Sequence, residues 1–123
     1  LEPPLVALAP AKTSTSWPRI ARAGSFCVNV LSADQEDVCR GFAVSGGDKF
    51  AGVSWRQAPF GGAPVIDGSL AWVDCELELV HDAGDHELVI GRVRDLGLGA
   101  GLPLLFYNSG FANLAVGAPS GAE

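Results

Sequence analysis

The segment at residues 10–16, Pro-Ala-Lys-Thr-Ser-Thr-Ser, concentrates one cation and four hydroxyl groups immediately before a predicted helix. Hydroxyls, backbone N–H groups and the N-terminus of a helix together bind phosphate well. The same composition also occurs in ordinary loops that cap a helix, because Ser and Thr accept hydrogen bonds from its first N–H groups. The segment therefore predicts a phosphate site or a capping loop, and its residue types favour neither.

A second group of residues, His81, Asp82, Asp85 and His86, could ligate a metal ion at the two ends of a predicted hairpin loop. Surface loops are commonly rich in Asp and His, so we favour the absence of a metal. The rival interpretation makes His86 a ligand-facing residue at the start of a strand. The chain has no Gly-x-Ser-x-Gly motif and no Cys beside a His, which argues against nucleophilic hydrolysis.

The composition is that of one globular domain, with 123 residues of which 48% are apolar and 18% charged. The net charge of −6 argues against a general nucleic-acid or anionic-membrane binder. No apolar run approaches the roughly 20 residues of a membrane span, and the first residues lack a signal peptide's basic region. Cys27, Cys39 and Cys75 form no CxxC motif and are expected to be reduced thiols. We therefore expect a cytoplasmic protein, and the absence of Met indicates a fragment or a processed chain.

The elements that must position these residues are mostly short strands, because 16 Gly and eight Pro divide the chain into alternating segments. We predict one domain over residues 1–116 and a frayed tail at 117–123. Two short helices are predicted after Ser16 and Ser32, ending near residues 23 and 43. The stretch 44–64 is predicted to be irregular and pinned by three aromatic rings. Strands are predicted at residues 5–9, 25–31, 69–81, 86–95 and 104–107.

The strand at 69–81 shows the cleanest alternation in the chain and is predicted to form an antiparallel hairpin with 86–95 around a loop at 82–85. Its inward residues are expected to be Ala71, Val73, Cys75, Leu77 and Leu79. Its outward residues are expected to be Asp74, Glu76 and Glu78. In the second helix, a capping box is predicted between Ser32 and Gln35, and a buried stripe at Val38 and Phe42.

Six strings in the chain resemble, in order and spacing, the flavin reductase-like family, whose fold is the FMN-binding split β-barrel. They are EPPLV at 2–6, KTSTSWPRI at 12–20, FCVNVLS at 26–32, DKFAG at 48–52, PVIDG at 64–68 and AGDH at 83–86. Within that family, the chain is most similar to the reductase components of two-component aromatic and secosteroid hydroxylases. The resemblance covers about residues 2–111. It implies a mostly β, Greek-key split barrel with short helices that lacks its N-terminal strands.

The resemblance implies an NADH-dependent flavin reductase that reduces FMN or FAD and releases it to a separate flavin-dependent oxygenase, with NADPH as another possible hydride donor. It also implies a homodimer, with no metal, nucleic-acid or membrane partner. The cofactor carries the reaction, so no residue is expected to be catalytic. The implied nicotinamide-binding residues are His86 and Phe111. The implied flavin-binding residues are Ala9, Pro10, Lys12, Thr13, Ser14, Thr15, Ser16, Asn29, Lys49 and Phe50.

Two other functions stay open. One is a flavin-binding or flavin-carrying domain without reductase activity. The other is a β-barrel interaction module that binds no cofactor. Without the family resemblance, the side chains of Asn29, Lys49 and Phe50 are better interpreted as buried-backbone, solvated-charge and core residues.

Overall fold

The computed structural model describes residues 2–44 and 46–115. Within those ranges two short helices accompany eight strands, which confirms the mostly β prediction. The predicted tail at 117–123 lies outside the described residues, and no helix inside them is long and apolar enough to cross a membrane. The elements are β1 (Leu5–Leu8), α1 (Trp17–Ala23), β2 (Ser25–Val30), α2 (Glu36–Ala43), β3 (Trp55–Gln57), β4 (Pro64–Ile66), β5 (Ala71–Ala83), β6 (His86–Leu98), β7 (Leu104–Tyr107) and β8 (Gly110–Asn113).

The central sheet has four antiparallel strands in the order β1-β6-β5-β2, so β1 and β2 form its edges among the described residues. Strands β5 and β6 pair from Ala71↔Leu98 to Ala83↔His86. The predicted loop at 82–85 is therefore a tighter two-residue turn at Gly84 and Asp85, and β6 runs three residues further than predicted. Hairpins β3–β4 and β7–β8 form two further sheets, so the described part of the barrel is not closed.

The core lies between α1 and the central sheet. Its buried members are Trp17, Phe26, Cys75 and Val89. The rings of Trp17 and Phe26 meet edge to face at 6.1 Å, and the indole N–H of Trp17 donates to Glu87 Oε1 at 2.8 Å. A Cβ at Gly91 would stand 2.6 Å from the Phe26 ring, so this position in β6 requires glycine. The predicted stop of α1 at Gly24 is confirmed, with φ +77°.

The alternation predicted for β5 is wrong at two positions. Asp74, expected to point outward, is fully buried. The segment around Phe60 covers that face of the sheet, and the Phe60 N–H donates a hydrogen bond to Asp74 Oδ2 at 2.7 Å. Leu79, expected to point inward, is 53% exposed. The register with β6 shifts between Leu77 and Leu79, and β5 is exposed on both of its faces from residue 78 to 83, so Leu79 finds no core to enter. Asp74 Oδ1 is buried with no hydrogen-bond partner among the described residues.

One of the two hydrogen bonds of the predicted capping box forms before the second helix. Gln35 Oε1 accepts a hydrogen bond from the Ser32 N–H at 2.9 Å, but the Ser32 hydroxyl binds Asp34 and the Gly68 carbonyl instead of capping the helix. No residue of α2 is fully buried, so the predicted buried stripe is only half-buried. Its Phe42 nevertheless contacts a ring from the stretch 44–64.

The stretch 44–64 contains an unpredicted hairpin, since β3 lies in it and β4 begins at its end. The ring of Phe50 lies 5.0 Å from Phe42 and 5.6 Å from Trp55, so the aromatic contacts predicted for this stretch are formed by two of its three rings. The third, Phe60, lies under the Arg94 guanidinium at 5.4 Å. Short strands with exposed residues carry no alternation that the sequence could reveal.

Candidate functional site

A cavity of about 1080 Å³ lies between the two helices, strand β2 and hairpin β3–β4. Its volume is at the upper end of the roughly 300–1,000 Å³ of ligand pockets in proteins. The loop before α1 and the segment 47–50 complete its wall. The cavity is large enough for a cofactor with several parts.

Helix α1 presents one face to the cavity, formed by Ser16, Arg19, Ile20 and Ala23. Their spacing of three, four and seven residues places them on one side of a helix, and Trp17 on the other side enters the core. Ser16 occupies the N-cap position, but its hydroxyl makes no capping hydrogen bond. It is therefore free to donate to a ligand.

The loop at residues 9–16 is held in place by the tip of the β5–β6 hairpin. The Lys12 N–H donates to the Asp85 carbonyl at 2.9 Å. Nearer the helix, Ser14 Oγ accepts a hydrogen bond from the Trp17 N–H at 3.1 Å. That bond leaves the hydroxyl proton of Ser14 available, and Ser14 lines the cavity.

Strand β2 turns Cys27 and Asn29 toward the cavity, because alternate residues of a strand share a face. The Asn29 amide donates to the Pro64 carbonyl at 3.0 Å, and its oxygen accepts from the Ile66 N–H at 2.8 Å. Asn29 thus joins β2 to β4 along one wall. Burial, followed by the charge of Asp74, raises the pKa of Cys27 to about 11, so this thiol is neutral at physiological pH.

Two cations, Arg19 and Lys49, and one carboxylate, Asp48, line the cavity. Neither cation makes an ion pair within residues 2–44 and 46–115. The rings of Phe42 and Phe50 supply aromatic surface on the same cavity. Free hydroxyls, unpaired cations and aromatic faces suit a ligand that combines an anionic group with a planar ring system.

Comparison with known protein families agrees with this chemistry. The family model described as "Flavin reductase like domain" matches residues 1–115. The chain belongs to the flavin reductase-like family. The predicted family and its split-barrel fold are therefore confirmed.

Individual relatives support the same assignment. The chain is 51% identical over 116 residues to a flavin reductase of Pseudomonas putida, covering 94% of this chain and 68% of that protein. It is 49% identical over 115 residues to HsaB, the reductase subunit of a flavin-dependent monooxygenase of Rhodococcus jostii, covering 93% and 58%. Among solved structures, the NADH:FAD oxidoreductase SgcE6 of Streptomyces globisporus, in complex with NAD and FAD fragments, superposes with a TM-score of 0.88 at 32% identity, covering 93% and 70%. The chain thus spans about three fifths to two thirds of the two curated relatives.

In this flavin reductase-like chain, half of the ten predicted flavin-binding residues line the cavity. They are Ser14, Ser16, Asn29, Lys49 and Phe50. The other five, Ala9, Pro10, Lys12, Thr13 and Thr15, belong to the same loop but are not among the lining residues. Lys49 and Phe50 line the cavity of their own chain. The role of all ten in flavin binding stays a prediction.

Lys12 and His86 both lie at the hairpin tip, outside the cavity wall. The Lys12 ammonium pairs with Asp82 and, by its hydrogen bond and then its charge, lowers the pKa of that carboxyl. His86 Nδ1 lies 2.8 Å from Asp85 Oδ1, and this contact lowers the pKa of Asp85. Residues 2–44 and 46–115 contain no group of three or more His, Cys, Asp or Glu placed to hold a metal ion.

Phe111 also lies away from the cavity wall. Its ring packs against Phe106 at 5.2 Å and under the Arg40 guanidinium at 4.6 Å, so it joins hairpin β7–β8 to α2. Sequence reasoning predicted Lys49 but missed Arg19, the second cation that lines the cavity. The signal was its position three residues after Ser16, which places both on one face of α1.

Proposed function

We propose that the protein is an NAD(P)H:flavin oxidoreductase that reduces FMN or FAD and supplies the reduced flavin to a separate monooxygenase component. The observation that carries the proposal is the large cavity of a flavin reductase-like chain, in which Ser14, Ser16 and Arg19 stand together with aromatic residues. Two free hydroxyls and an unpaired guanidinium suit a flavin phosphate. The matched region extends from residue 1 to 115, in keeping with one flavin reductase domain over residues 1–116.

The protein's own contribution is to bind and orient. A bound flavin would supply the ring that takes up the hydride of the nicotinamide. Ser14, Ser16 and Arg19 would hold its phosphate by charge-assisted hydrogen bonds, and Phe50 would supply aromatic surface that excludes water. Asn29 keeps the β4 wall fixed through its two backbone contacts. No side chain is required to exchange a proton with the substrate in this arrangement.

We further propose that NADH is the hydride donor, that His86 and Phe111 contact it, and that the protein is a homodimer. The NADH:FAD activity in the name of the similar Streptomyces structure supports the first point. The reduced flavin then diffuses to an oxygenase that acts on an aromatic or secosteroid compound, as the family resemblance implies. Three free cysteines favour a reducing, cytoplasmic location.

A flavin carrier without reductase activity is the second candidate, because neither His86 nor Phe111 lines the described cavity. One experiment separates the two functions. The purified chain is titrated with FMN and FAD by flavin fluorescence, and NADH oxidation is then followed by absorbance with and without flavin. Flavin-dependent oxidation supports the reductase, whereas flavin binding without oxidation supports the carrier. Absence of flavin binding would contradict both.

The phosphate assignment has a matched control within the same loop. Replacing Ser14 and Ser16 by Ala is expected to weaken flavin binding by about a hundredfold or more, since two charge-assisted hydrogen bonds are lost and each contributes roughly 1.5–3 kcal/mol. Replacing Thr13 and Thr15 by Ala removes two hydroxyls that do not line the cavity, and flavin affinity is expected to fall much less. Equal losses in both pairs would refute the assignment. Circular dichroism controls for the loss of the hydrogen bond from Trp17 to Ser14.

A further inference from the structure

A second cavity, of about 220 Å³, lies where hairpin β3–β4 meets the ends of β5 and β6. Arg56, Ser69 and Trp72 line it together with apolar residues, and Ile66 is the one lining residue that it shares with the flavin cavity. We propose that this cavity binds a small aromatic carboxylate and that its occupancy acts on the flavin cavity through Asn29. The binding step stands on this cavity alone, whereas the coupling step rests on the proposed flavin function.

The size and the floor of the cavity suit one planar ring. The indole of Trp72 packs directly on the backbone of Gly97, where a Cβ would lie 2.4 Å from the indole nitrogen. A Cβ at Gly99 would lie 2.3 Å from the Ser69 carbonyl oxygen, so a second glycine is also required beside the cavity. An apolar cavity of about 150 Å³ is enough to take up benzene. The present volume therefore accommodates a benzene ring with one small substituent beside the indole, over which the Arg56 guanidinium already lies.

The charge in the wall selects a carboxylate as that substituent. The Arg56 guanidinium lies 5.9 Å from the centre of the Trp72 ring, and only its Nη1 contacts a carboxylate, Asp67 Oδ1 at 3.3 Å. A guanidinium has five N–H donors, so one edge of the planar Arg56 group stays available to donate two parallel hydrogen bonds to a carboxylate. Because the chain has a net charge of −6, an organic anion needs such a local cation to bind at all. A ring beside a guanidinium and an indole is also preferred over an aliphatic group of equal charge.

Asn29 connects the two cavities. Its side-chain oxygen accepts hydrogen bonds from the Ile66 N–H at 2.8 Å and from the Ser69 hydroxyl at 3.5 Å, and both donors belong to residues of the smaller cavity. Asn29 itself lines the flavin cavity. A ligand seated against Ile66 and Ser69 therefore braces the two groups that hold the Asn29 side chain, and flavin should bind more tightly. Coupling between binding sites is reciprocal, so flavin should tighten carboxylate binding by the same factor.

The binding step is tested with benzoate as the probe, by NMR of the indole N–H signals of the three tryptophans. The Trp72 signal, assigned with Trp72→Phe, is expected to shift saturably. The Trp17 signal should stay still because its N–H is bonded to Glu87 in the core, and it serves as the internal control. Cyclohexanecarboxylate has the same charge without the planar ring and should bind more weakly. Absence of a saturable shift with benzoate, or equal affinity for both acids, would overturn the proposal.

Arg56→Gln is expected to weaken benzoate binding by about tenfold, the loss of one charge-assisted hydrogen bond. Arg22→Gln removes the same charge from an exposed position in the last turn of α1 and should change nothing. Equal effects of the two variants would refute the role of Arg56. The coupling step is then tested by titrating flavin with and without saturating benzoate, where about a twofold or larger tightening is expected. An unchanged flavin affinity refutes the coupling alone, and absence of flavin binding refutes the proposed function while leaving the benzoate result intact.

Discussion

The substitution Gly61→Ala tests how closely the cavity wall is packed against β2. An ideal Cβ at Gly61 would lie 2.2 Å from Ser25 Oγ and 2.6 Å from Ser25 Cβ. The hydroxyl can rotate away, but Ser25 Cβ is fixed to the strand, so the backbone of one segment must move. Such overpacking typically costs about 1–3 kcal/mol. We expect the free energy of unfolding, measured in urea, to fall by that amount.

A double-mutant cycle with Ser25→Gly identifies the cause. With the Ser25 side chain removed, the nearest remaining atom to the new Cβ is Asp74 Oδ1 at 4.0 Å, which is an ordinary contact. Ser25→Gly alone should cost about 0.5–1 kcal/mol, because glycine weakens a strand. In that background Gly61→Ala should cost nothing further from steric contact, so the two changes should be non-additive by about 1–3 kcal/mol.

The matched control is Gly41→Ala, in the interior of α2, where an added Cβ meets nothing within 4 Å. Alanine favours a helix over glycine by about 0.8–1 kcal/mol, so this variant should be more stable than the native chain. Gly61→Ala and Gly41→Ala therefore have opposite expected signs. Additive energies in the Ser25 cycle, or equal effects of the two alanines, would refute the packing described for the cavity wall.

Three further predictions concern ionisable side chains. Asp74→Asn should raise the free energy of unfolding by about 1 kcal/mol, because it removes a buried carboxylate whose Oδ1 has no partner. Asp74→Ala should lower that free energy, because it also removes the oxygen that accepts the hydrogen bond from the Phe60 N–H. Unfolding in urea measures both, and a more stable Ala variant than Asn variant would contradict the reasoning. Burial raises the pKa of Cys27 and of Cys75 from 9.0 to about 11, so the folded state keeps these protons at a pH where the unfolded state has lost them. The free energy of unfolding should therefore fall as the pH rises from 9 to 11, and it should fall less steeply in Cys75→Ala. Lys12→Met should raise the pKa of Asp82 in an NMR titration, and an unchanged value would show that the ion pair does not form in solution.

The parts of the fold that the sequence predicted are those with strong local signals. The alternation in β5 indicates a strand, the polar residues before β6 indicate a connection between two strands, and the glycine after α1 indicates the end of that helix, each from neighbouring residues. The burial of Asp74 could not be predicted, because the segment that covers it lies 14 residues away in the chain. The exposure of Leu79 could not be predicted either, because the two-residue alternation continues into the end of β5, which is exposed on both faces.

The candidate site shows the same division between local and distant causes. The composition of residues 12–16 drew attention to Ser14 and Ser16, and both line the cavity. Composition could not separate them from Thr13 and Thr15, because the direction of each hydroxyl depends on how the loop is anchored. Lys12 was predicted as the local cation, yet its partner Asp82 stands 70 residues away at the hairpin tip. Two other cations line the cavity: Lys49, and Arg19, which lies on the same face of α1 as Ser16.

The distance of these partners along the chain has a consequence for how the site forms. The loop before α1 is anchored by backbone bonds to the β5–β6 tip, and the Trp17 indole reaches Glu87 over 70 residues. Neither the loop nor α1, which has seven residues, has enough local interactions to hold its shape alone. The hairpin must therefore be paired before the hydroxyls of Ser14 and Ser16 can converge on one ligand. Ligand binding at this cavity thus reports on the pairing of β5 with β6, although no residue at the hairpin tip lines the cavity.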